Sequence, residues 1–246
     1  MRVHQQPAYV LLNRPYSETS WIVEIFSRNH GRLALMAKGA RRIKSRVRGV
    51  LLPFQPVLLS WTGKGEIPTL TAAEIEVAEL NMIDHELSGD QLVCGFYCNE
   101  LLIYLLHRHD PHPALFDRYH ETILGLYDPA SVANEASLAN TLRGFEQIII
   151  KETGYEVSFS VEADGKTPIE AQAWYLFQQG QGFVRTSAEQ IDAIAGRVIL
   201  GLQPGQKFNG NGEDVSRGKY LMRDILSKTL GYKKITSREL FFPKSR

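Results

Sequence analysis

Partway along the chain the apolar residues change their period. Over residues 8–77 they alternate or run in short blocks cut by turn formers, whereas from about residue 84 they recur every three to four positions. Such a chain folds a strand-rich part first and a helical part second, because one spacing cannot line up both a pleated and a helical face. "AYVLL" and "SWIVEIFSR" are β-rich, and Asn29-His30-Gly31 sets a tight turn before "RLALMAKGA", so the second and third strands form a hairpin. "PFQPVLLSWT" follows, with Pro53 and Pro56 suited to the start or edge of a strand. Gly63-Lys64-Gly65 then turns the chain into "EIPTLTAAEIEV". Five short strands in about 80 residues match the strand count of a small Greek-key barrel, with a plain antiparallel sheet as the alternative.

In the second part, Leu92, Phe96, Tyr97, Leu101, Tyr104 and Leu105 share helical spacing. "PALFDRYHETILGLY" is a second helix, opened by Pro113 and closed by Gly125 and Asp128-Pro129, and a third runs from about Ser131 to Thr153 with Gly154 as its stop. Residues 155–186 are mixed, with a strand pair at "AWYLFQQ" and "GFVRT"; helical stretches are expected at Ser187 to Leu200 and about Asp214 to Leu230. The expected class is α+β and multidomain, with a strand domain at 1–80 and a helical domain at 81–246 that carries a small mixed insert at about 155–186.

The chain has 246 residues and a formal net charge of only +1, yet its charges are segregated. From Arg28 to Arg48 there are eight Lys/Arg and no Asp/Glu, while Ile67 to Asp110 holds eight Asp/Glu and the single cation Arg108. From Arg217 onward, nine Lys/Arg face only Asp224 and Glu239. Surface potential follows local charge, so two basic regions can attract a polyanion although the sum is near zero. The first residues lack the apolar run of a signal peptide, and no stretch of about 20 apolar residues would span a bilayer; a cytoplasmic, nucleoid-associated location is the expectation.

Catalytic and metal chemistries are poorly supported by the residues. Two cysteines exclude a disulfide framework and cannot build a zinc ribbon; Cys94 and Cys98, spaced i,i+4 in an apolar run, read as buried thiols on one helix face. Gly201, Gly205, Gly210 and Gly212 crowd a loop with Lys207, but the Gly-Lys-Ser/Thr of a phosphate loop is missing. His107, His109, Asp110 and His112 in "HRHDPH" have zinc-like donors, yet they sit where a helix ends before proline, and helix termination explains them. Glu74 and Glu76 share a strand face without the further carboxylates and lysine of a nuclease, and no Gly-x-Ser-x-Gly elbow is present. No catalytic residue, metal site or cofactor is expected.

What stands out is "AKGARRIKSRVRG", with Lys38, Arg41, Arg42, Lys44, Arg46 and Arg48. If extended, Arg42, Lys44, Arg46 and Arg48 point one way; if helical, Arg41, Lys44 and Arg48 align. A merely solubilising loop would intersperse both signs, so this run is expected to meet an external anion. A phosphate backbone, with regularly spaced charges that release counterions on binding, fits it. Trp21, Phe26, Phe54 and Trp61 on the expected strands are candidates for base stacking, although most should be core.

"AYVLLNRPYSETSWIVEIFSRNHGRLALMAKGARR", "GVLLPFQPVLLSWTGKGEIPTLTAAE", "NELL", "LRGFE" and "SRELF", in that order, resemble the RecO family of bacterial recombination mediators over nearly the whole chain. The resemblance implies an N-terminal OB-fold barrel, a helical C-terminal region and no catalytic site. It further implies binding to single- and double-stranded DNA, annealing of complementary strands, contact with the acidic tail of single-stranded DNA-binding protein, and action with RecR in loading RecA. In "LANTLRGFEQIII", Arg143 matches an arginine that in similar proteins receives that tail, with Leu142 and Ile149 placed to line an apolar slot for its terminal phenylalanine. Many members carry a four-cysteine zinc module, whereas residues 155–178 here have no cysteine, so no zinc is expected. DNA would be held by Lys38, Arg41, Arg42, Lys44, Arg46 and Arg48, aided by Lys233, Lys234 and Arg238 of "GYKKITSREL". The alternatives are a metal-dependent nucleic-acid-processing enzyme using the same basic surface, and a protein adaptor without DNA contact.

Overall fold

The computed structural model describes residues 2–76, 86–130, 132–133, 135–155, 157–203 and 212–237. Its contacts divide the chain into two compact units, Met1–Asp128 with Ile235–Arg246, and Pro129–Lys234.

The first unit is built on a closed five-stranded barrel in the order β1-β2-β3-β5-β4. β1 (Arg2–Pro15) is long enough to serve two neighbours. Its second half pairs antiparallel with β2 (Trp21–Ser27), and its first half with β4 (Val57–Thr62). Register shifts between Val3 and Gln6 and between Val10 and Leu12 bend it, as bulges do in small barrels. β3 (Gly31–Ala37) completes the expected hairpin with β2, and β5 (Thr69–Ile75) lies antiparallel to β4. Closure comes from a short parallel contact, Met36 opposite Thr69, where Met36 N–H donates to the Pro68 carbonyl at 2.8 Å. Alternate residues of the strands fill the interior: Val10, Val23, Ile25, Leu35, Val57 and Leu59 have no exposed surface. Each such side chain contributes roughly 1.5–3 kcal/mol on leaving water.

Two helices cover the barrel within this unit, α1 (Gly89–Leu105) and α2 (Pro113–Tyr127). Phe116 and Tyr119 of α2 meet Tyr9 of β1 at ring-centroid distances of 5.9 and 5.0 Å, so the outer face of the barrel is itself a core layer. Cys94 and Cys98 are both buried on α1, as their spacing predicts. Gly31 is required twice over: its φ is +64°, and a Cβ there would lie 2.0 Å from the Asp110 carbonyl oxygen.

The second unit holds α3 (Glu135–Glu152), a three-stranded sheet in the order β7-β6-β8, α4 (Gly196–Gly201) and α5 (Gly212–Thr229). The strand pair expected in the insert is β6 (Trp174–Gln178) with β7 (Gly182–Thr186). The helix expected from Ser187 to Leu200 is a correction: residues 187–193 form turns, Ile194–Ala195 is β8 on the edge of β6, and only Gly196–Gly201 is helical. Local helix preference loses there because Ile194 and Ala195 become buried by pairing with Tyr175 and Trp174. Among the described residues no helix is long and apolar enough to cross a membrane.

Candidate nucleic-acid interface

The cationic segment leaves the barrel at the end of β3 and adopts neither conformation weighed from its sequence. It is a chain of turns: the N–H of Arg42 donates to Gly39, that of Ser45 to Arg42, that of Arg48 to Ser45 and that of Val50 to Val47, at 3.0–3.3 Å. Gly39, at φ +71°, permits the first of these turns. Apolar anchors fix the run to the barrel, since Ala40 and Leu51 are buried in its core and Val47 and Val50 pack against it. The Asn13 side-chain amide donates to the Leu51 carbonyl at 2.6 Å, and Gln55 donates to the carbonyls of Gly49 and Val50. With those side chains turned inward, Lys38, Arg41, Arg42, Lys44, Arg46 and Arg48 are all exposed.

The eight cations between Arg28 and Arg48 fall into two classes. Arg28 forms a two-pronged pair with Asp117 at 2.8 and 2.9 Å. Its hydrogen bond and charge hold the Asp117 carboxyl below the usual carboxylate range. Arg32 lies 2.5 Å from Glu24, which is buried and also takes Arg108 at 2.9 Å. These two cations are each paired with an acid of the chain, Arg32 sharing its acid with Arg108. The other six make no ion pair with any described acid; Arg41 Nη1 donates only to the Ser17 carbonyl. Six like charges on a turn-built strip, held by its own apolar anchors, form a positive surface that an external polyanion would relieve.

The strand-borne aromatics are mostly interior: Phe26, Phe54 and Trp61 are buried and Trp21 is half-buried. The aromatic at this end of the barrel that sequence reading missed is Tyr16, 62% exposed in the turn between β1 and β2. Its one sequence signal is position, after Pro15 in a polar turn flanked by strands.

In the second unit, Lys233 and Lys234 are exposed beyond the end of α5; Arg238 lies outside the described residues, as do Gly205, Lys207 and Gly210 of the glycine-rich loop. Arg143 on α3 is buried, with Nε 3.8 Å from Glu146 Oε2. Leu142 is half-buried, while Ile149 has no exposed surface and in this conformation can only back a slot, not face a ligand. "HRHDPH" follows the end of α1 at Leu105. Among the described residues no three His, Cys, Asp or Glu side chains converge as metal donors.

The profile described as "Recombination protein O N terminal" matches residues 1–77, and that described as "Recombination protein O C terminal" matches residues 87–239. A protein from Paraburkholderia xenovorans named "DNA repair protein RecO" is 40% identical over 97% of this chain and 76% of its own length. Proteins of the same name from Aromatoleum aromaticum and Coxiella burnetii are each 38% identical; the alignments cover 97% and 98% of this chain and 95% and 99% of theirs. With both halves matched and whole-length relatives at this identity, the chain belongs to the recombination protein O (RecO) family of DNA repair proteins.

Proposed function

We propose that this chain is a non-enzymatic mediator that binds DNA through its barrel and anneals complementary single strands. The observation that carries the reading is the contrast among neighbouring cations: Arg28 and Arg32 are spent on internal acids, while Lys38, Arg41, Arg42, Lys44, Arg46 and Arg48 face solvent with no described acid in range. Annealing follows physically. Two flexible strands on one basic surface lose their mutual repulsion, and contacts to phosphate leave the pairing edges of the bases free. Lys233, Lys234 and Arg238 would add to the grip. The chain would take the acidic tail of single-stranded DNA-binding protein at Arg143, beside Leu142 and backed by Ile149, and would work with RecR to load RecA; the tail contact is supported by the cation-and-apolar pattern on α3, and RecR and RecA by the resemblance to the RecO family alone.

The test is charge reversal of Arg42, Lys44 and Arg46 to glutamate. Affinity for DNA should fall alike for every sequence, and the dependence of log affinity on log salt should flatten by up to about 3, at roughly 0.9 per lost phosphate contact. Unchanged affinity and slope would remove the cationic segment from the interface. Annealing of complementary oligonucleotides, bare and coated by their binding protein, should fall in parallel. Cleavage or nucleotide incorporation that needs magnesium or manganese and survives purification would favour the enzyme reading instead.

A further inference from the structure

Tyr16 is more exposed than any other described Tyr, Phe or Trp of the first unit, at 62% against 38% for Phe96 and 37% for Tyr104. Single exposed rings are common, so exposure alone assigns nothing. Its surroundings separate it from the rest. Tyr16 N–H donates to the Ser20 carbonyl at 3.1 Å, closing the turn on which the ring stands. Pro15, just before it, is paired with Trp21 across the β1–β2 ladder. The same turn is fastened to the cationic segment twice, by Arg41 N–H to the Thr19 carbonyl at 3.0 Å and by the Arg41 guanidinium to the Ser17 carbonyl. Neither the ring nor the hydroxyl of Tyr16 has a partner among the described residues. The structure therefore fixes a free aromatic face to the start of a strip of un-neutralised cations, with Glu18 as the turn's sole acid.

That pairing has a chemical counterpart. A flat face beside phosphate-binding cations fits a nucleotide whose base is unstacked, because such a base offers its π-face while its phosphate meets a cation. A duplex satisfies only the cations, since its bases are already stacked on one another. Because the backbone of the turn is tied down by three hydrogen bonds, little conformational freedom would be lost when a base arrives. We infer that Tyr16 is a base-stacking platform that gives the interface a preference for unpaired over paired strands. This rests on the reading of Lys38 to Arg48 as the phosphate-binding strip.

The experiment measures affinity of the full chain for a thymidine homopolymer and for a blunt duplex hairpin at one salt concentration. It uses the wild type, Tyr16→Leu, Tyr16→Phe and the Arg42/Lys44/Arg46 reversal. Tyr16→Leu keeps an apolar side chain but no ring, and should weaken homopolymer binding by about fivefold or more, the lower end of one base–aromatic contact, while leaving the hairpin unchanged. Tyr16→Phe should bind both as the wild type does. With 2-aminopurine placed in the homopolymer, the fluorescence change on binding should be smaller for Tyr16→Leu than for Tyr16→Phe. Equal losses on both DNAs, no loss on either, or failure of phenylalanine to restore binding would overturn the platform. If the triple reversal weakens binding and Tyr16→Leu does not, the platform alone fails; if the reversal has no effect, the strip itself is wrong.

Discussion

The hydroxyl of Tyr119 donates to Asn99 Oδ1 at 2.6 Å deep inside the first unit. Asn99 Nδ2 in turn donates to the Leu11 carbonyl at 3.0 Å, so α2, α1 and β1 share one buried chain of hydrogen bonds. Burial pushes the Tyr119 hydroxyl well above its ordinary pKa and keeps it a neutral donor. Asn99→Leu removes both bonds, the one from the Tyr119 hydroxyl and the one to the Leu11 carbonyl. It should destabilise the protein by about 2–4 kcal/mol in urea unfolding, whereas Tyr119→Phe, which strands only Asn99 Oδ1, should cost about 1–2 kcal/mol.

Gly95 marks the place where α1 meets Phe54. A Cβ there would lie 2.8 Å from the Phe54 ring, which is buried, held at φ +69° and set edge-on to Phe96 at 5.0 Å. Gly95→Ala should therefore destabilise by about 1–3 kcal/mol despite the better helix propensity of alanine. A thermal melt no lower than wild type would mean that the ring can move aside.

Charge number and charge availability can be separated. Arg28 lies in the same basic stretch, but its guanidinium is committed to Asp117. Arg28→Ala should leave the salt slope of DNA binding unchanged, while Arg46→Ala should flatten it by about 0.9. Equal effects in the two titrations would mean that net charge, not the turn-built strip, governs binding.

Glu100 on α1 receives the Thr236 N–H at 2.7 Å, the Ser237 N–H at 2.8 Å and the Ser237 hydroxyl at 2.7 Å, fixing the returning chain to the first unit. Partial burial alone would raise its pKa, but the bonds from Ser237 and Thr236, with that of the Tyr104 hydroxyl, together hold it below the ordinary value. A depressed folded pKa contributes stability above the unfolded value of about 4.3, lost as pH falls through the folded value. The melting-temperature gap between wild type and Glu100→Gln should therefore be widest near neutrality and close below about pH 4. A gap that persists unchanged to about pH 3 would show that the charge contributes nothing.

At Arg143 an acidic peptide ending in phenylalanine would compete with Glu146, 3.8 Å away in a buried pair. Glu146→Gln should tighten binding of such a peptide and Arg143→Glu should abolish it, read by fluorescence anisotropy with the full chain. Weaker binding in Glu146→Gln would mean that Glu146 positions the guanidinium rather than competing for it.

Much of the fold was legible because its signals are local. Strand alternation, the turn before β3, and Pro113 at the head of α2 each act within a few residues and agree with the structure. The errors lie where a distant partner overrides local preference. Ile194 and Ala195 sit in a helix-like sequence but are captured by β6, and the cationic run is bent into turns by Ala40, Val47 and Val50 docking on the barrel. The change of period near residue 84 and the thinning of contacts after Asp128 are different places, because α1 and α2 bury their faces on the barrel strands.

By itself the sequence determined the strand-then-helix order, the segregation of charge and the stretch of cations without acids, since these depend only on which residues stand next to one another. Tertiary structure alone decided which cations remain available. Arg32 finds Glu24 on a neighbouring strand and Arg28 finds Asp117 some ninety residues away, while Lys38 to Arg48 find no described acid. It also decided which rings are core and that Tyr16 stands outside, because burial is set by the closure of the barrel and not by any residue's own character.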